Sequence, residues 1–200
     1  MDDAVLSFLE EEGLSIEPKY YLPIIPMSLV NGAEGIGTGW ATGIPQHNPR
    51  EIVANLKRMM DGRMPTRMKP WYKGFQGEIE DNGKNGFTVT GAYEVKDETT
   101  IEITELPIGK WTRDYKNFLE ELAGKEEIDE IREYHTENRV HFVVTVPKLK
   151  ELESSNNILK YFKLQTSMAS TNYVLFNHEG KIKRYEDEVQ ILKEFYPLRD

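Results

Sequence analysis

An α+β fold, with small antiparallel β-sheets and helices packed on them, is the class this sequence predicts. Three observations carry that prediction. Between Phe75 and Thr104 apolar and polar residues alternate, the period of half-buried strands, and turn-forming residues interrupt them at hairpin spacing. Elsewhere apolar residues recur every three or four positions between start and stop residues, the period of helices. The strands come in runs and do not alternate one for one with helices, which disfavours a parallel α/β sheet.

Taken in order, residues 2–12 read as a short helix. Asp2 or Asp3 can cap it, Val5, Leu6 and Leu9 share one side, and Gly13 stops it. Tyr20 to Val30 is apolar, but Pro23 and Pro26 exclude a continuous helix or central strand, leaving an extended segment that delivers a glycine-rich stretch. Asn48-Pro49 is an N-cap followed by proline at the first helical position. The helix it opens spans about 49–60, with Ile52, Val53, Leu56 and Met60 inward and Lys57 and Arg58 on the far side. Strands follow at Phe75–Glu80, Phe87–Val95 and Thr99–Thr104, with Asn85-Gly86 and Asp97-Glu98 as turns. Thr112 caps a helix over 113–123, with Tyr115, Phe118, Leu119 and Leu122 inward and Gly124 as its stop. An acidic helix around 126–133 comes next, then a strand at Arg139–Val146 and a helix from Pro147 to about Ser154. Strands at Leu164–Ser167, Tyr173–Phe176 and Lys181–Tyr185 precede a last helix over 187–195.

Composition excludes several function classes. There is no cysteine, so disulfides and thiolate metal sites are ruled out. The four histidines contain no i, i+4 pair, which argues against a transition-metal site. No apolar run approaches the roughly 20 residues of a membrane-spanning helix. The net charge of −9 disfavours a self-sufficient phosphate-binding module. That charge is blocked, however: residues 50–73 sum to +5 and 160–184 to +4, against −6 for 77–106 and −5 for 113–137. Basic faces set against acidic ones fit this pattern, as does ordinary solvated surface.

The most informative stretch is Asn31-Gly32-Ala33-Glu34-Gly35-Ile36-Gly37-Thr38-Gly39-Trp40. Its glycines do not make G-x-G-x-x-G, and no Lys-Ser/Thr pair follows, so neither nucleotide-binding fingerprint is present. Ile36, stiff and β-branched, stands between Gly35 and Gly37 with no neighbouring side chains. It can project as an apolar wedge of the kind that kinks DNA, or fold back into a core.

The flanks carry a resemblance. Glu17-Pro18-Lys19-Tyr20-Tyr21-Leu22-Pro23-Ile24-Ile25-Pro26-Met27-Ser28-Leu29-Val30, the glycine stretch, and Ala41-Thr42-Gly43-Ile44-Pro45-Gln46-His47-Asn48-Pro49 together resemble eukaryotic DNA topoisomerase II. The matching part is its cleavage–reunion half, just after the winged-helix domain. Ile103-Thr104-Glu105-Leu106-Pro107, Trp111-Thr112 and Gly180-Lys181-Ile182-Lys183 extend it over most of the chain. The resemblance implies that Ile36 intercalates and bends DNA. It also implies that Lys163-Leu164-Gln165-Thr166-Ser167-Met168-Ala169-Ser170-Thr171-Asn172 contacts DNA, where composition alone reads a polar loop. Lys57 and Arg58 are further candidates for phosphate contact.

On this resemblance the chain divides into 1–73, a DNA-bending segment with its following helix, and 74–200, a tower-like α+β domain, both cut from a longer enzyme. The parent would be a nuclear homodimer that passes one DNA duplex through another, using ATP and Mg²⁺ bound outside this piece. The family's nucleophilic tyrosine lies in an Ala-Arg-Tyr setting upstream, and its metal centre uses a D-x-D motif; neither occurs here. Arg184-Tyr185 therefore reads as a strand pair and not as a nucleophile, so no catalytic residue, metal ligand or cofactor site is expected. A non-enzymatic architectural DNA binder, or a scaffold whose acidic helices over 113–137 meet a basic partner, are the competing classes. The acidic total weighs against the first.

Overall fold

A computed structural model of the chain describes residues 7–83 and 86–199. The chain forms two units. One comprises residues 1–72 together with 170–200; the other is the excursion between them, residues 73–169.

The first unit begins with a hairpin of β1 (Phe8–Glu11) and β2 (Leu14–Pro18). The helix expected over 2–12 is thus replaced, within the described residues, by a strand; its first positions, with Asp2, Asp3, Val5 and Leu6, lie outside them. The reason is the turn Glu12-Gly13. Both residues have positive φ (+52° and +80°), the geometry of the tight turns that match strand twist. Next comes α1 (Met27–Val30), a single turn whose Leu29 is fully buried, where an extended segment was expected. The prolines limit its length without forbidding a turn.

The glycine-rich stretch forms a second hairpin, β3 (Ala33–Ile36) and β4 (Ala41–Ile44). Then α2 (Pro49–Met60) starts as expected, with Asn48 Oδ1 accepting from the Arg50 N–H at 2.9 Å. Its inward face is Ile52 and Asn55, with Val53, Leu56 and Met59 half-buried; Met60, expected inside, is largely exposed. Buried Asn55 accepts from the Thr66 N–H (2.8 Å) and donates to the Thr66 carbonyl (2.9 Å), fastening the connection that follows the helix.

The second unit holds two sheets. β5 (Glu78–Asp81) and β6 (Gly86–Thr90) pair, and β7 (Ala92–Val95) follows after Gly91, where the expected single strand breaks. A side chain at Gly91 would meet the Glu105 carbonyl at 2.3 Å, so only glycine fits that crossing. Of the expected turn Asn85-Gly86, Asn85 lies outside the described residues. β8 (Thr100–Glu105) is followed by α3 (Thr112–Gly124), whose N-cap is Trp111 without a side-chain hydrogen bond, so Thr112 is the first helical residue and not the cap.

In place of the acidic helix expected at 126–133 there is a strand, β9 (Glu130–Glu133). Glu126, at φ +59°, turns the chain out of α3, and β9 then occupies the open edge of β10 (Phe142–Thr145). The resulting antiparallel sheet runs β7-β8-β10-β9. After α4 (Leu149–Ser154) and the single turn α5 (Ile158–Tyr161), β11 (Gln165–Ala169) joins the edge of β6 in a sheet ordered β11-β6-β5. Tyr115, Leu119 and Leu122 of α3 pack with Ile101, Ile103, Phe142, Val144 and Phe162 in this unit's core, and Tyr115 donates to the Phe162 carbonyl at 2.7 Å.

The chain then returns to the first unit with the hairpin β12 (Tyr173–Phe176) and β13 (Ile182–Tyr185), followed by α6 (Glu188–Phe195), capped by Asp187. Tyr173, Tyr185, Ile191 and Leu192 share a core with Leu29, Ile44, Ile52 and Met68. That packing corrects the division at residues 73 and 74 on one side only: residues 170–200, assigned to the second domain, complete the first. The expected α+β class holds.

Candidate nucleic-acid interface

The β3–β4 hairpin is built to present one side chain. At its entry Gly32 has φ +69°, and a Cβ there would lie 2.6 Å from the Ile44 carbonyl, so the strands can close only around glycine. Ile44, at the foot of β4, is buried in the core. Ile36 pairs with Ala41 in the last rung, and the Gly37 N–H donates to the Trp40 carbonyl at 2.8 Å across the turn Thr38-Gly39. Gly39, at φ +88°, makes that turn possible. The outcome is an Ile36 side chain that is 96% exposed. The alternative in which Ile36 folds back into a core is excluded by this placement. Trp40, just before β4, is 53% exposed and adds a second large apolar group near the tip.

The foot of the hairpin is fastened to the end of the stretch 163–172. Asn172 supplies a carbonyl that accepts from the Gly43 N–H at 2.8 Å and, more weakly, from Thr42 Oγ1 at 3.4 Å. Arg184 in turn donates from Nη2 to the Thr171 carbonyl at 2.9 Å. No sequence signal points to these contacts, because the partners are about 130 and 13 residues apart and all are backbone carbonyls.

The stretch 163–172 itself falls into two parts. Lys163 and β11 belong to the second unit, and Ser170, Thr171 and Asn172 to the first. Lys163, Gln165, Ser167 and Ala169 are exposed along β11 and its approach, Thr166 and Met168 are half-buried, and Leu164 is fully buried in the second unit's core. Ser170 is also buried. Gln165 Nε2 donates to Thr90 Oγ1 on β6 at 3.3 Å. β11 is an edge strand, so its outer backbone groups are not used within the sheet.

On α2, Lys57 is exposed, while Arg58 is half-buried and donates from Nε to the Met64 carbonyl at 3.1 Å. Arg67, in the same basic block, is committed elsewhere: its Nε donates to buried Glu188 at 2.9 Å. The Met68 N–H donates to the same carboxylate oxygen at 2.8 Å. The basic block is thus partly structural.

Tyr185 lies on β13 and is buried, and burial first, with the nearby Glu194 carboxylate, pushes its hydroxyl up to about 12. A hydroxyl so reluctant to ionise and beside a carboxylate is the reverse of an activated nucleophile. Among the described residues no group of three or more His, Asp or Glu side chains is placed to hold a metal ion. Nor is any helix long and apolar enough to cross a membrane.

Comparison with known proteins follows the same lines. The family model that describes the A subunit of DNA gyrase/topoisomerase IV matches residues 1–200. The chain is 49% identical to DNA topoisomerase 2 of Arabidopsis thaliana, over 99% of its own length and 14% of that protein's. It is 45% identical to human DNA topoisomerase 2-alpha, over 99% of its length and 13% of the relative's. A crystal structure of the Plasmodium falciparum topoisomerase II DNA-binding, cleavage and re-ligation domain superimposes with a TM-score of 0.89 at 43% identity, covering 99% of this chain and 28% of that one.

Proposed function

The chain belongs to the DNA gyrase/topoisomerase IV family, and on that premise we propose that it is the DNA-contacting and DNA-bending portion of a type II DNA topoisomerase. It spans about one-seventh of the length of the curated relatives it matches, 14% and 13% in the two cases above. The activity therefore belongs to a larger parent: ATP-dependent passage of one duplex through another, by a nuclear homodimer. ATP, Mg²⁺ and the nucleophilic tyrosine of that parent act outside residues 1–200, and the chain alone neither cleaves nor relaxes DNA.

The observation that carries this reading is Ile36, an almost fully exposed β-branched side chain at the tip of a two-stranded ribbon. An exposed isoleucine in water has no stabilising role; between two base pairs its apolar surface is buried. Opening a base step costs a few kcal/mol, offset by the added surface that bent DNA wraps. The ribbon's cross-strand bonds and its anchor on Asn172 hold the wedge against the reaction force. Exposed Lys57, Lys163, Gln165 and Ser167 supply groups that bind phosphate oxygens and set position without reading sequence.

Bend angle, read by energy transfer between dyes at the two ends of a duplex bound to the parent enzyme, tests the proposal. Ile36→Ala should reduce the angle more than it reduces initial affinity, and Ile36→Leu should keep part of the effect. A normal bend angle with Ile36→Ala would overturn the wedge role.

A further inference from the structure

Outside the stretch 163–172, a further cation of the second unit stands against the start of that stretch. Lys110 lies just before α3, half-buried, and its Nζ donates to the Lys163 carbonyl at 3.4 Å. Lys163 has a left-handed backbone, φ +49°, and its own Nζ sits 4.2 Å above the centre of the Phe118 ring. The two ammonium groups are thus kept in one neighbourhood by the backbone of one and by a ring of α3.

Carboxylates are abundant in this unit, and four of its lysines use them. Lys96 pairs with Glu94, Lys116 with Glu133, Lys148 with Glu127 and Lys150 with Glu98. Neither Lys110 nor Lys163 forms an ion pair among the described residues. Burial, and after it the charge of Lys163, disfavours the charged form of Lys110. Two like charges held together with no carboxylate beside them repel, and an anion placed between them removes that cost. The next residue, Trp111, is 75% exposed.

We propose that Lys110 and Lys163 together clamp a backbone phosphate of duplex DNA, which extends the contact surface of the second unit beyond β11 to the approach of α3. The proposal rests on the reading that the stretch beginning at Lys163 faces DNA. Each lysine that meets a phosphate adds about 0.9 to the slope of log K against log salt.

The test is titration of the protein with a duplex oligonucleotide at several salt concentrations, for Lys110→Gln, Lys163→Gln and Lys110→Arg, with melting temperatures alongside. Lys110→Gln should weaken binding about 5–10-fold near 0.1 M salt and lower the slope by roughly one, with melting unchanged. Lys110→Arg should restore both. A reduced slope for Lys163→Gln with a wild-type slope for Lys110→Gln would overturn this proposal and leave the underlying reading standing. Wild-type slopes in both glutamine variants would overturn both. A lower melting temperature for Lys110→Gln at an unchanged slope would also overturn it, because Lys110 would then serve only to hold the Lys163 backbone.

Discussion

Two single residues show how opposite burial gives opposite predictions. Ile36 touches no core, so its truncation should leave stability within about 0.5 kcal/mol of wild type, as for other exposed sites. A core isoleucine would lose about 2–5 kcal/mol, and the melting temperature of Ile36→Ala distinguishes the two. His47 is the reverse case. It is 1% exposed, and burial, more than the opposing attraction of Glu188, holds its pKa below the ordinary 6.5. The unfolded chain therefore binds this proton more readily than the folded one. Stability from His47 is complete above pH 6.5 and is lost as pH falls below it. Melting temperature should drop between pH 6.5 and 5, and the drop should flatten in His47→Gln; equal slopes in both proteins would exclude His47 as the cause. The glycines on either side of Ile36 left two readings open, an exposed side chain or a core residue, and the structure shows the exposed one. The sequence did not reveal the buried His47, since nothing local to it indicates that Leu29 and Glu188 converge there.

Among elements, those with their own punctuation were legible and those decided by a distant partner were not. Asn48-Pro49 announced α2, and the apolar spacing of Tyr115, Leu119 and Leu122 announced α3. The acidic stretch after α3 has helical composition, yet it is β9, because the unfilled edge of β10 offers a full ladder of hydrogen bonds. Likewise the glycine stretch left the direction of Ile36 open and did not reveal the hairpin that carries it. The register of β3 on β4 depends on the approach of Gly32 to the Ile44 carbonyl. Gly32→Ala should consequently cost about 1–3 kcal/mol, from a left-handed alanine and a forced separation of the strands. It should also reduce DNA bending although Ile36 is intact, which hydrogen exchange at the hairpin amides and the bend angle would register together. Unchanged exchange would show that the foot of the ribbon tolerates a methyl group. Arg184, read from sequence only as a strand residue, acts from β13 on the Thr171 carbonyl beside that foot.

For the whole molecule, the basic block 50–73 is not all free cation: Arg67 is spent on Glu188, and Arg58 leans on a carbonyl. The −9 total is consistent with this economy of free cations. The chain passes from the second unit back to the first between residues 169 and 170, and no composition change marks that return. That return has a consequence for biosynthesis. Residues 7–72 leave the ribosome without Tyr173, Tyr185, Ile191 and Leu192, which make up half of the buried cluster they fold around. The excursion 73–169 contains its entire core and emerges before the missing pieces do. The inserted unit should therefore become protease-resistant on nascent chains stalled with residue 169 just outside the exit tunnel, while residues 7–72 remain cleavable. Protection of residues 7–72 should appear only once α6 has emerged. Simultaneous protection of both, before α6 is exposed, would show that the first unit reaches a stable state with its core half made.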